Sequence, residues 1–229
     1  MAIIPALTPV ISDVTLAAAA ISVVIKVPSG FEILFLEWEN VGSTDTADRD
    51  LEMAFNGDNA GTSYDDSWEA FGTASSTTNG VASIVFSSVG DSDALNHKSS
   101  GYAVIFNRDG QEKVVIGSSI VRTTSTNAQL GYHMEAKWRT TAGVITSIAF
   151  TLASGRDFSV GTRFILRGLR TNKAPALGSK DIVQFIGSYD AGGDATIDFT
   201  IPPGYEQLWL FWNECYGSTT RQSFRCRFN

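Results

Sequence analysis

The stretch FEILFLEWEN, residues 31–40, reads as a β-strand, and the chain writes it again as YEQLWLFWNE at 205–214. Laying Val27–Trp38 over Ile201–Trp212, an offset of 174, leaves six identities: Pro28/Pro202, Gly30/Gly204, Glu32/Glu206, Leu34/Leu208, Leu36/Leu210 and Trp38/Trp212. All six share one parity. Side chains of a strand alternate between the two faces of a sheet, so residues of one parity line one side. Leu34, Leu36 and Trp38 are therefore expected to face a core, and Leu208, Leu210 and Trp212 to repeat that lining. The other parity drifts: Ile33, Phe35, Glu37 and Glu39 become Gln207, Trp209, Phe211 and Asn213. A chance match has no reason to hold one face and release the other.

With small gaps the likeness runs on, GSTDTADRDLEMAFN (42–56) against GSTTRQSFRCRFN (217–229). The sequence thus predicts a β-module over 1–170, a linker over 171–181 and the opening strands of a second, similar module over 182–229. The linker lies in RTNKAPALGSK (170–180), which has Pro, Gly and small residues and no hydrophobic period. The competing reading is that the tail adds strands to the first module's own sheet. A fragment of a module cannot bury its strands alone and leaves edges that invite pairing.

Between the copies, strand signals dominate. GYHMEAKW alternates, with Tyr132, Met134, Ala136 and Trp138 on one side and His133, Glu135 and Lys137 on the other. VITSIAFTL sets Val144, Ile148, Phe150 and Leu152 on a common face, and GTRFILRGL points Phe164 and Leu166 inward with Arg163 and Arg167 outward. Further strands are expected at 81–88, 101–107 and 112–119, the last two joined by a hairpin at Arg108-Asp109-Gly110. Only SDVTLAAAAI suggests a brief helical turn. The fold class is all-β, an antiparallel β-sandwich of jelly-roll-like type. Two long polar stretches, 56–80 and 90–101, are expected to be loops that meet a partner.

Composition narrows the function. The chain of 229 residues is 43% apolar and 18% charged, with a net charge of −7. It has no basic cluster, so no nucleic-acid partner is expected. No uncharged apolar run long enough for a membrane span occurs, and no positive n-region precedes Lys26, so neither a membrane nor a classical export route is expected. The two cysteines, Cys215 and Cys226, flank the turn GSTTRQ. A cross-strand disulfide and two buried thiols both remain open. Val41 and Met53 near the matching places of the first copy favour the thiols.

Signs of chemistry are few. His133 falls on a polar strand face and His97 in a loop rich in Ser and Asp. No serine sits in a nucleophile elbow, and no phosphate or dinucleotide loop occurs. No catalytic residue, cofactor or metal is expected, and the oxygen-rich loops NGDNAG and GDSD lack EF-hand spacing. One group stands out. Tyr64, Asp65, Asp66, Trp68 and Phe71 combine acids with aromatics, a mixture suited to stacking on a sugar ring; Asp65 and Asp66 as a glycosidase pair is the weaker option, because adjacent side chains point apart.

WRTTAGVITSIAF (138–150) followed by FSVGTRFILRGL (158–169) resembles the closing strands of a β-sandwich module found in structural proteins of tailed bacteriophages. The turn before the echo strand, the Thr/Asp-rich segment and FNGD (55–58) resemble its opening half. Arg167 stands where that family often has tyrosine. The resemblance covers most of 20–170 and implies a non-enzymatic virion component, on the tail (fibre or receptor-binding) or on the capsid (decoration). Its partners would be other virion proteins and copies of itself, as a trimer by family analogy, and its assembly would occur in the reducing host cytoplasm. The alternative is a carbohydrate-binding module recognising host-surface glycans.

Overall fold

The computed structural model of the chain describes residues 9–70, 74–90, 98–122 and 129–170. All belong to the first of two compact units, Met1–Phe185. Leu208, Leu210, Trp212, both cysteines, the linker over 171–181 and the second module over 182–229 lie outside the described residues, as do Phe71 and His97.

The echo strand is β3 (Ile33–Val41), and its parity is as the repeat predicts: Leu34, Leu36 and Trp38 are 0%, 0% and 1% exposed. Hydrogen-bonded on either side of it are β12 (Arg163–Leu169) and β8 (Ser99–Phe106). β1 (Val10–Thr15) lies outside β12, and beyond β8 follow β9 (Lys113–Arg122), β10 (Gln129–Trp138), β5 (Tyr64–Ala70) and β6 (Ala74–Val81). This large sheet has eight strands in the order β1-β12-β3-β8-β9-β10-β5-β6. A small sheet of four runs β2 (Ser22–Lys26), β11 (Ser147–Leu152), β4 (Arg49–Phe55), β7 (Ile84–Val89). Every pairing is antiparallel, so the chain is an all-β sandwich.

The core fills the space between the sheets. Leu51, Met53 and Phe55 of β4 and Ile148, Phe150 and Leu152 of β11 meet Leu34, Leu36 and Trp38 of β3 and Phe164 and Leu166 of β12. Phe150 stacks on Phe164 with centroids 4.3 Å apart, and Trp38 meets the edge of Phe86 at 4.9 Å. Burying each such side chain stabilises the fold by about 1.5–3 kcal/mol. The Trp38 indole also anchors a polar thread. Its Nε1 donates to Ser99 Oγ at 3.0 Å, and Ser87 Oγ of β7 lies 2.7 Å from the hydroxyls of both Ser99 and Ser119. Hydroxyls from three strands thus satisfy one another and tie the sheets together. Gly101 beside them leaves room for the indole, because a Cβ there would stand 2.5 Å from Trp38 Cζ2.

Two expectations need correction. Residues 56–80 are not one polar loop: they contain the hairpin β5–β6. These strands carry Asp, Ser and Thr in place of alternating apolar residues, and β6 is little covered on either side: Ser75, Thr77 and Asn79 are exposed on one face and Thr78 on the other. β5 is held by its ladder to β10 with Tyr64, Asp66 and Ala70 buried, and β6 by its ladder to β5. SDVTLAAAAI is likewise no helical turn; its first residues complete β1 and Ala20 bridges to Phe158. The β-branched Val14 and Thr15 suit a strand, and the alanines are too few to nucleate a helix.

Candidate functional site

FNGD, the turn before the echo strand and VITS meet at one end of the sandwich, while FSVG (158–161) meets the Thr/Asp-rich segment at the other, with Thr44 N–H on the Asp157 carbonyl and Ser159 N–H on the Gly42 carbonyl. Asn56 of FNGD, at φ +55, accepts the backbone N–H groups of Thr146 (2.7 Å) and Ser147 (3.0 Å) and donates to the Val144 carbonyl (2.9 Å). FNGD is thereby laced to VITS. Asp58 accepts from Trp138 Nε1 at 2.8 Å, from Ser63 Oγ and from Ala60 N–H; these donors, Trp138 first, hold its carboxyl below the usual range. Nearby, Asn107 donates to the carbonyls of Phe31 and Ile145 and accepts from Ile145 N–H, all buried. The fully buried Lys113 donates to the carbonyls of Gln111, Thr140 and Thr141, and desolvation lowers its pKa. Polar atoms at this end are spent on the scaffold.

The residues singled out as a binding group part company along β5, because neighbours in a strand face opposite ways. Tyr64 is 0% exposed and stacks on Trp138 with centroids 6.3 Å apart. Its hydroxyl accepts from Phe55 N–H at 2.8 Å and donates to the Asp58 carbonyl at 2.9 Å, and burial pushes its pKa up to about 12. The ring therefore offers no face to a sugar. Asp65 points to the outer side of the sheet, where Arg139 grips it at 2.9 and 2.5 Å and Gly80 N–H adds a third bond. The Arg139 hydrogen bond is the main cause of its lowered pKa.

Asp66 and Trp68 share the inner face with Tyr64, at the part of the large sheet that overhangs the small one. Asp66 is 6% exposed and accepts the Val85 N–H of β7 at 3.1 Å. Trp68, half-buried, packs on Tyr132 of β10 with centroids 5.8 Å apart. Asp50 and Glu52 of β4 face this overhang across β7. Burial pushes the carboxyls of Asp50, Glu52 and Asp66 up, and the charges of Asp50 and Asp66 raise Glu52 further. Tyr132 hydrogen-bonds Ser88, with burial the first cause of its raised pKa. Among the described residues no group of three or more His, Cys, Asp or Glu is placed to hold a metal ion.

The inner wall of the overhang thus sets an aromatic pair near three carboxyls that hold their protons more readily than usual. Such a wall offers stacking and hydrogen bonding to a neutral polyhydroxyl ligand and repels anions. The sequence identified Asp66 and Trp68. It gave no sign of Asp50, Glu52 or Tyr132, which join them only through the pairing of β4 with β7 and β10 with β5. His133 is exposed on the outer face, 3.7 Å from Glu135 and on the opposite side of the sheet from Tyr132. Set against known proteins, the chain matches no family model, no curated protein and no solved structure.

Proposed function

We propose that the chain is a non-catalytic structural component of a tailed-phage virion, displayed on the tail or capsid and acting through contacts with other virion proteins and with copies of itself. The observation that carries this reading is the strand order. Two hairpin partners, β5–β6 and β9–β10, form a wing on one side of the large sheet. Without them the sheets run β1-β12-β3-β8 and β2-β11-β4-β7. Consecutive strands then alternate between sheets in the nested manner of a jelly roll, an architecture shared by viral capsid and lectin domains. The spending of motif side chains on backbone groups agrees with a scaffold role, and so does the resemblance of those motifs to the phage module. The argument at this level is analogy of fold and motif. Mass spectrometry of purified particles whose genome encodes the chain tests it, with immunogold labelling to place it. The chain is expected in stoichiometric amount at one lattice or tube, and its absence from washed particles overturns the reading.

The half-buried Trp68–Tyr132 pair favours a second reading, recognition of a neutral host-surface glycan. Under it, Trp68→Ala folds normally and loses binding on a glycan array that the parent protein shows. An array on which the parent binds nothing removes this reading.

A further inference from the structure

A sheet sandwich that is not closed into a barrel has four edges, and each exposes a row of backbone donors and acceptors unless something blocks it. Three edges here are defended. β1 follows Pro9, and its ladder with β12 is broken by a shift between Val10 and Ser12. β2 has only five residues and ends in Lys26, with Pro28 just beyond. The free side of β7 lies under the overhang, where the Asp66 carboxylate takes the Val85 N–H. β6 has none of these devices. It runs ASSTTNGV over eight residues without a charge or a proline, and its pairing with β5 is regular from Ala74 to Asn79. The one irregularity skips Gly80, at its end. Ser75, Thr77, Thr78 and Asn79 are exposed, and among the described residues β5 is the only strand that pairs with β6.

We infer that β6 is a strand-addition surface, and that its occupant is β6 of a second copy of this chain, paired antiparallel about a two-fold axis. Self-complementarity favours a copy over a foreign strand: a two-fold contact needs a row that matches itself, and Ser75, Thr77 and Asn79 share one face and are short, polar and uncharged. The molecule carries a net charge of −7, so most of its surface repels a copy, but this strip is neutral. Of the two outward acids on neighbouring β5, Asp65 is held by Arg139 and Glu69, opposite Ser75, is exposed to water. A two-fold axis normal to the sheet sets residues of the same face opposite each other. Thr77 then meets Thr77 or Ser75 of the second copy, hydroxyl against hydroxyl, a pairing that stabilises adjacent antiparallel strands. Each copy contributes one such edge, so the assembly closes at two and does not grow into a fibre. The joined β6 strands make one continuous sheet through both molecules. This surface does not include the Trp68–Tyr132 pair and is independent of which functional reading holds.

The test is sedimentation of the full chain over a range of concentrations, with Thr77→Lys and Thr77→Glu as variants. The parent is expected to form a dimer. Each variant alone places like charges across the axis and weakens association at least about tenfold, while an equimolar mixture of the two restores a heterodimer. The mixture separates an edge contact from general damage, since two misfolded proteins do not rescue each other. Amide exchange on the unaltered chain gives a second reading: residues 74–79 become protected as concentration rises. A parent that stays monomeric or forms a trimer overturns the inference. So does a dimer that both variants retain, or a mixture that fails to recover it.

Discussion

Asn107 offers a quantitative test of how the FNGD end of the sandwich is held. Its amide makes three buried hydrogen bonds: Nδ2 to the carbonyls of Phe31 (3.0 Å) and Ile145 (3.3 Å), and Oδ1 from Ile145 N–H (2.5 Å). Asn107→Ala leaves one donor and two acceptors without side-chain partners. Each buried orphan costs roughly 1–3 kcal/mol, and the longer bond to Ile145 is the weakest, so the total is about 3–5 kcal/mol. For a domain of this size each kcal/mol lowers the melting temperature by roughly 2–4 °C, which places the fall on the order of 10 °C or more. Asn56→Gly is the matched control. It removes a similar number of bonds, but these are exposed, and glycine accepts the positive φ without strain. Water replaces the lost partners there, so the cost is about 1 kcal/mol. Chemical denaturation of both variants, with the denaturant slope checked against the parent, measures the difference. If Asn56→Gly costs as much as Asn107→Ala, burial is not what makes these clamps valuable and the reasoning fails.

Three more outcomes follow from the geometry. Gly101→Ala puts a methyl group against Trp38, Ser118 O and Ser119 Cβ, all within 2.6 Å of an ideal Cβ. It should cost about 1–3 kcal/mol or more and shift Trp38 fluorescence, and unchanged stability would refute the packing described. Tyr64→Phe removes a buried hydroxyl that joins Phe55 N–H to the Asp58 carbonyl, with an expected loss of about 1–3 kcal/mol in the denaturation midpoint. The pH dependence has two opposed parts. Asp58 has a lowered folded pKa, so the stability it contributes is complete above the unfolded value and is lost as pH falls through the folded one. Glu52 is raised, so its charged form opposes folding and stability improves as pH falls through its folded value toward the unfolded one. Asp58→Asn should therefore flatten the acid limb of the stability profile, and Glu52→Gln should remove a gain on acidification; profiles that overlay the parent's would contradict both assignments.

What could be read in the sequence was what burial writes there. The parity of Leu34, Leu36 and Trp38, the inward set Met134, Ala136 and Trp138, and the hairpin at Asp109-Gly110 all appear as expected. The Asn56 clamp joins FNGD to VITS, a contact between segments about 90 residues apart in the chain. β5–β6 left no such trace, because a strand covered on one side by an overhang, or on neither, is free to carry Asp, Ser and Thr. The candidate site was half legible for the same reason. Asp66 and Trp68 lie together in the chain, but Asp50, Glu52 and Tyr132 reach them through cross-strand register, which no local pattern encodes. Tyr64 looked like a surface aromatic because its neighbours are polar, and only the contact with Trp138 shows it belongs to the core.

The place of β3 also sets a problem of timing. The strand lies between β8 and β12, and its Glu37 meets an arginine 130 residues further along. At about 5–20 residues per second, a ribosome needs on the order of ten seconds to supply that last neighbour. FEILFLEW has both flanks open until β8 is made, and the flank that β12 closes stays open to the end of that interval, a largely apolar ribbon ready to stick to its like. The nascent polypeptide therefore depends on chaperone shelter far more than the finished molecule does, and production should fall first in hosts where that shelter is depleted.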